Sequence, residues 1–96
     1  MVMSFEWNEH KNQSNIQKHG LSFEEAAAIF DSVTFTYEST GADYGEKRYV
    51  SIGAIEDVVI VVVVYTPRNG LRRIISARLA GREERRAYEA HIKAAT

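Results

Sequence analysis

The sequence predicts an α+β fold in which a small, largely antiparallel β-sheet is packed with helices. Three observations predict it. Beta-branched segments crowd the second half, "VVIVVVVYT" from Val58 to Thr66 above all, and turn residues bound them. Asn8 and Ser22 each stand where a helix can start. From Arg82 onward the apolar positions recur at helical spacing. Strands joined by short turns should be neighbours, so an antiparallel meander with helices on one face is the economical arrangement.

Residues 3–7 alternate loosely, with Phe5 and Trp7 on one parity, and suit a short first strand. Asn8 can cap a helix reaching His19, where Lys18 and His19 suit the negative end of the dipole and Gly20 supplies the stop. That helix is mostly polar, which predicts a surface position. In "SFEEAAAIF", Ser22 and Glu25 have capping-box spacing, Leu21 can staple onto Ala26, and Phe23, Ala26, Ala27 and Phe30 line one face. A core-packed second helix follows.

Val33 to Tyr37 reads as a strand, residues 38–46 as a loop, and Lys47 to Ile55 as the next strand. Glu56 and Asp57 make a tight reversal into Val58–Thr66, a strand apolar on both faces and therefore central. Pro67 is expected to end it, and Asn69-Gly70 is the pair favoured in hairpin turns. Leu71 to Leu79 returns antiparallel. Without a bulge, Arg72, Ile74, Ser76 and Arg78 share one face and Arg73, Ile75, Ala77 and Leu79 the other; the double Ile permits a bulge that would change this. Arg82 to Ala95 forms the final helix, with Glu83 and Glu84 in its first turn.

At 96 residues, 45% of them hydrophobic, the chain is read as one domain, 1–96. It has no cysteine, which removes disulfides and thiolate metal sites. His10, His19 and His91 lack metal-ligand spacing, and Ser76 has no evident histidine and acid partners for nucleophilic catalysis. No glycine-rich phosphate loop is present. "MVMSFEWNEHK" has no signal-peptide pattern and Val58–Tyr65 is too short to span hydrocarbon, so the expectation is a cytoplasmic protein without a membrane partner.

The formal net charge of -1 conceals a polarity. Residues 1–65 hold four Lys or Arg against ten Asp or Glu, a sum of -6; residues 66–96 hold eight against three, a sum of +5. Arg72, Arg73, Arg78, Arg82, Arg85 and Arg86 fall within one quarter of the chain. Guanidinium forks match phosphate oxygens, so this cluster points to a nucleic-acid backbone. "REERR" carries its own counter-charges, and internal ion pairs could consume part of that field. Arg73 is the anomaly, because its parity matches the apolar face; it must sit near an edge, pair with an acid or reach a functional surface.

Three patches together resemble the BrnT family of toxins from bacterial toxin–antitoxin systems: "FEWNEHKNQSNIQKHGLSFEEAAAIF", "GEKRYVSIG" and "RRIISARLAGREERRAYE". The resemblance implies a RelE-like fold and a ribonuclease that needs neither metal nor organic cofactor. It implies a cognate antitoxin whose ribbon-helix-helix domain represses the shared operon, so that operator DNA is met only through the antitoxin. The family's conserved polar positions fall on Lys11, Asn15, Lys18, His19, Arg48, Arg73, Ser76, Arg78, Glu84, Arg85 and Tyr88. Two positions depart from the family pattern. Tyr65-Thr66-Pro67 stands where members read His-Thr-Glu or Phe-Thr-Glu, and Gly81 where many have Thr or Ser.

Metal-free RNA cleavage requires in-line attack by a ribose 2'-hydroxyl, charge stabilisation at the phosphorane oxygens, and proton transfer at both ends. The expected grip on the scissile phosphate is Arg48, Arg73 and Arg78, with Lys11 or His19 assisting proton transfer. Arg82, Arg85, Lys18 and Tyr65 are the expected RNA contacts. Two rivals explain the arginines as well: a non-catalytic nucleic-acid-binding module, and an adaptor that docks an acidic protein partner.

Overall fold

The computed structural model describes residues 4–39 and 45–95. Its elements are β1 (Phe5–Trp7), α1 (Glu9–His19), α2 (Phe23–Ala27) running into a 3₁₀ turn (Ala28–Asp31), β2 (Phe35–Glu38), β3 (Tyr49–Ile55), β4 (Val59–Arg68), β5 (Leu71–Leu79) and α3 (Arg82–Ala95). The expected loop at 38–46 falls largely outside the described residues, and Glu38 belongs to β2.

The helix ends are set by the residues expected to set them. Asn8 accepts from the Lys11 N–H at 3.0 Å, and Gly20, at φ 69°, donates to Ile16 at 2.8 Å. Ser22 and Glu25 form both bonds of the capping box. The inner side of α1 is polar: its buried residues are Asn12 and Asn15. Asn12 accepts from the Phe23 N–H at 2.8 Å, and Asn15 donates to the carbonyls of Leu21 and Ala77 at 2.9 and 2.8 Å. Amide hydrogen bonds, rather than an apolar stripe, fix this helix.

The sheet order is β1-β5-β4-β3-β2. The antiparallel expectation holds for β2 to β5, but β1 runs parallel to β5, so the sheet is mixed. The cause is the helical pair that follows β1: it carries the chain away, and β1's open partner is the last strand. Pro67 does not end β4, which continues through Arg68 into a two-residue turn with Asn69 and Gly70 at φ 54° and 79°. A proline is tolerated there because β3 stops at Tyr49, opposite Tyr65, and the ladder on that side has finished.

Helices cover both faces, not one. Leu21, Phe23, Ala26 and Ile29 pack on Val61, Val63, Ile74 and Ala77. On the other face Val50, Ile52 and Val62 meet Tyr88 and Ala80, while the His91 ring lies 5.1 Å from that of Phe35. Gly53 allows the 3₁₀ turn to close on β3, since a Cβ there would stand 2.8 Å from the Ile29 Cβ. Between Val64 and Tyr65 the register slips, because Val64 pairs with Ser76 and Tyr65 with Ile74. Ile75 is the extra residue. The bulge overturns simple alternation: Arg73, Ser76 and Arg78 now share the α3 face, and Arg72, Ile74 and Ala77 the opposite one.

Candidate nucleic-acid interface

Helix α1 presents Lys11, Ser14 and Lys18 along one exposed row, spaced three and four residues apart. Because Asn15 bonds both the N–H and the carbonyl of Ala77, that row is held against the edge of β5. The result is a cleft of about 230 Å³ lined by Lys11, Ser14, Asn15, Lys18, His19, Ile75 and Ser76. Five of the family positions singled out in the sequence, Lys11, Asn15, Lys18, His19 and Ser76, are thus brought together.

From Ser76 the α3 face of β5 runs on to Arg73 in one direction and Arg78 in the other. Helix α3 packs chiefly over β2 and β3, which leaves this strip between two helical walls. Both arginines have carboxylate partners. Arg73 Nη1 donates to Glu6 at 2.5 Å, across the β1–β5 rung that pairs them. Arg78 donates to both oxygens of Glu84, at 2.7 and 2.6 Å, and Glu84 also accepts from the Gly81 N–H at 2.8 Å. The Arg78 hydrogen bond, then the Gly81 N–H, hold the Glu84 carboxyl below its ordinary range against partial desolvation. The same pairing raises Arg78.

The expected single-phosphate grip is not assembled. Arg73 lies opposite Thr66 and Arg78 opposite Val62; four residues at about 3.3 Å each put their backbones roughly 13 Å apart. Arg48 precedes β3, near the Arg73 end, and its carbonyl accepts from the Ser39 N–H at 2.8 Å. The arginines line a track rather than converge on a point.

Other expected contacts are placed differently again. Tyr65 is 7% exposed. Its ring stacks with Tyr49 at 5.7 Å and meets the edge of Phe30 at 5.6 Å, so it is a core residue with no face open to a base. Arg72 lies over Phe30 and Tyr65, 4.3 and 5.2 Å from the ring centroids, which makes it a packing residue. Arg82 and Arg85 are exposed on the first turns of α3; Arg85 lines a separate cleft with Leu79. Glu6, the partner of Arg73, was invisible to sequence reasoning, because only the parallel register of β1 brings it there.

Comparison with known proteins decides the family. Residues 7–84 match the model of the family described as "Ribonuclease toxin, BrnT, of type II toxin-antitoxin system". The chain belongs to the BrnT family. A similar solved structure is the 1.1 Å crystal structure of the Brucella abortus ribonuclease toxin BrnT, at 31% identity and a TM-score of 0.63, covering 84% of this chain and all of that one. No curated protein matches. BrnT proteins are ribonuclease toxins of type II toxin–antitoxin systems, which makes an antitoxin the implied partner. The BrnT match takes in Lys11, Lys18, His19, Arg48, Arg73, Ser76, Arg78 and Glu84 and stops one residue short of Arg85. Among the described residues no helix is long and apolar enough to cross a membrane.

Proposed function

We propose that this chain is a metal-independent endoribonuclease toxin whose RNA lies along the β5 track between α1 and α3. The observation that carries the reading is the cleft where Lys11, Lys18 and His19 of α1 meet Ser76, between Arg73 and Arg78, in a chain of this family. In-line attack by the 2'-hydroxyl needs cations where phosphate charge grows, and Arg73, with Lys11 beside the same strand, supplies them. Imidazole is the usual proton-transfer group near neutral pH, which makes His19 the first candidate and Lys11 the second. Arg48 and Arg78 hold flanking phosphates in this scheme, with Lys18, Arg82 and Arg85 guiding the strand beyond them. The carboxylates of Glu6 and Glu84 stand where phosphates would go, so substrate must compete for both arginines.

The same reading includes an RNA substrate in the cytoplasm, a RelE-like kinship of the fold, and an antitoxin with a ribbon-helix-helix domain through which operator DNA is reached. It is tested with purified chain and RNA in the presence of a chelator. Expected products carry 2',3'-cyclic phosphate ends, and Lys11→Ala and Arg73→Ala, checked for folding by circular dichroism, lower cleavage by about 100-fold or more. Saturable binding without such ends would instead make the chain a binding module. Loss of cleavage with chelator alone would remove metal independence.

A further inference from the structure

Among the described residues the sheet ends at β2, and this edge strand lacks the usual deterrents to pairing. Phe35–Glu38 holds no Lys or Pro and pairs with β3 in continuous register. The ladder fixes where its backbone groups point. Phe35 partners Ile52 and Tyr37 partners Val50, and the same register reaches Ser39, whose N–H donates to the Arg48 carbonyl at 2.8 Å. Hydrogen-bonded pairs alternate along an antiparallel ladder, so residues 35, 37 and 39 bond inward while Thr34, Thr36 and Glu38 turn their N–H and C=O outward. Side chains alternate too. Val33, Phe35 and Tyr37 share the α3 face, where Val33 is 53% and Tyr37 43% exposed, and Thr34 and Thr36 share the other. Helix α3 lies over the same margin: it packs on β2 and β3, yet none of its described residues is buried. A half-covered helix above a half-covered edge calls for one cover over both.

The edge is complementary to itself. Two copies set antiparallel about Thr36 place Thr36 against Thr36, Phe35 against Tyr37 and Thr34 against Glu38. Every outward N–H then meets an outward C=O, and the aromatic pairs fall at the closer positions between the bonded ones, extending the Phe35–Tyr37 contact at 5.7 Å. Of the registers that match outward groups, this one overlaps residues 34–38 completely and keeps the two Glu38 carboxylates roughly 13 Å apart along the strands; sliding it toward the C-terminus brings them together. Lys47, 3.9 Å from Glu38, offsets part of the remaining charge. With strands about 4.8 Å apart, a helix over the β2–β3 seam stands roughly 10 Å from its copy, an ordinary helix-packing distance.

We propose that two copies of this chain pair through β2 in this register, joining their sheets into one and bringing the two α3 helices side by side. Pairing uses up the edge in both copies, so assembly closes at two. The twofold axis stands across the sheet, which leaves both β5 strands open on the same face, and the proposal does not rest on where RNA lies.

The test is sedimentation equilibrium of the full chain alone. At about 100 µM it is expected at twice its 10.9 kDa mass, dissociating on dilution as small interfaces do. Thr36→Pro removes an outward N–H and spares the β3 ladder, and Tyr37→Lys puts a charge opposite Phe35; each, checked for folding by circular dichroism, is expected to weaken self-association roughly 30-fold or more. Ile16→Lys, an exposed apolar site on α1, is the control and keeps the parental value. Because the chain has no cysteine, register is read by cross-linking: under mild oxidation Thr36→Cys is expected to link to itself, and Glu38→Cys only when mixed with Thr34→Cys. Tyr37→Lys and the cysteine variants keep the test decisive if Thr36→Pro does not fold. A parent that stays monomeric overturns the inference, and an antitoxin strand found on the edge would then be its occupant. Parental self-association in the folded edge variants overturns it too, as does Glu38→Cys linking to itself faster than Thr36→Cys.

Discussion

Replacing Asn15 with alanine removes an amide whose oxygen accepts from the Ala77 N–H and whose nitrogen serves the Leu21 and Ala77 carbonyls. Buried backbone groups lose their partners, and Asn15→Ala should cost about 2–4 kcal/mol in urea unfolding; a loss under 1 kcal/mol (roughly the surface-substitution range) would mean the clamp is dispensable. Glu84 gives a pH signature. Its carboxyl is lowered, by Arg78 first, so the pair stabilises above the unfolded carboxylate value of about 4.3 and the stability is lost as pH falls through the folded value. Glu84→Gln should therefore have a flatter melting temperature than the parent over the acid range, and parallel curves would refute the pairing. At this scale sequence reasoning saw the cations and the counter-charges in "REERR", but not which pairs form. It left Arg73 an edge position, an acid or a functional surface, and Glu6 supplies the acid; nothing in "VVVVYTP" shows that Tyr65 has Tyr49 and Phe30 against its ring.

Among the described elements, the reversal between β3 and β4 concentrates backbone strain. Glu56 and Asp57 adopt φ 53° and 60°, a region that L side chains enter at a cost. Asp57→Gly should raise stability by about 0.5–1 kcal/mol, read as a higher urea midpoint with unchanged slope; a lower midpoint would show that the Asp57 side chain does something the backbone does not reveal. The capping residues, the Asn-Gly hairpin and α3 were legible because each is encoded by neighbours a few positions apart. The parallel seat of β1 and the second-face position of α3 were not, since both depend on strands far away in sequence. α1 was located correctly as a mostly polar surface helix, but its attachment was not legible, because periodicity counts apolar contacts and this helix is fixed by two asparagines.

For the whole molecule, the proposed RNA track sets Lys11, Lys18, Arg73 and Arg78 along β5. RNA affinity should fall with salt, the log–log slope losing about 0.7 per phosphate contact removed, so Lys11→Ala and Lys18→Ala should each flatten it by roughly that amount; unchanged slopes in fluorescence titrations would place the RNA elsewhere. The Asn15 clamp has a consequence beyond rigidity. β1 accompanies β5 only to Ile74, and a bare strand margin past that point is a template on which other chains polymerise. By matching the Ala77 N–H and carbonyl with its own amide, Asn15 stands in for the residue a longer β1 would supply and blunts that margin. A toxin stored beside its antidote thereby carries its own guard against sticking to its sisters.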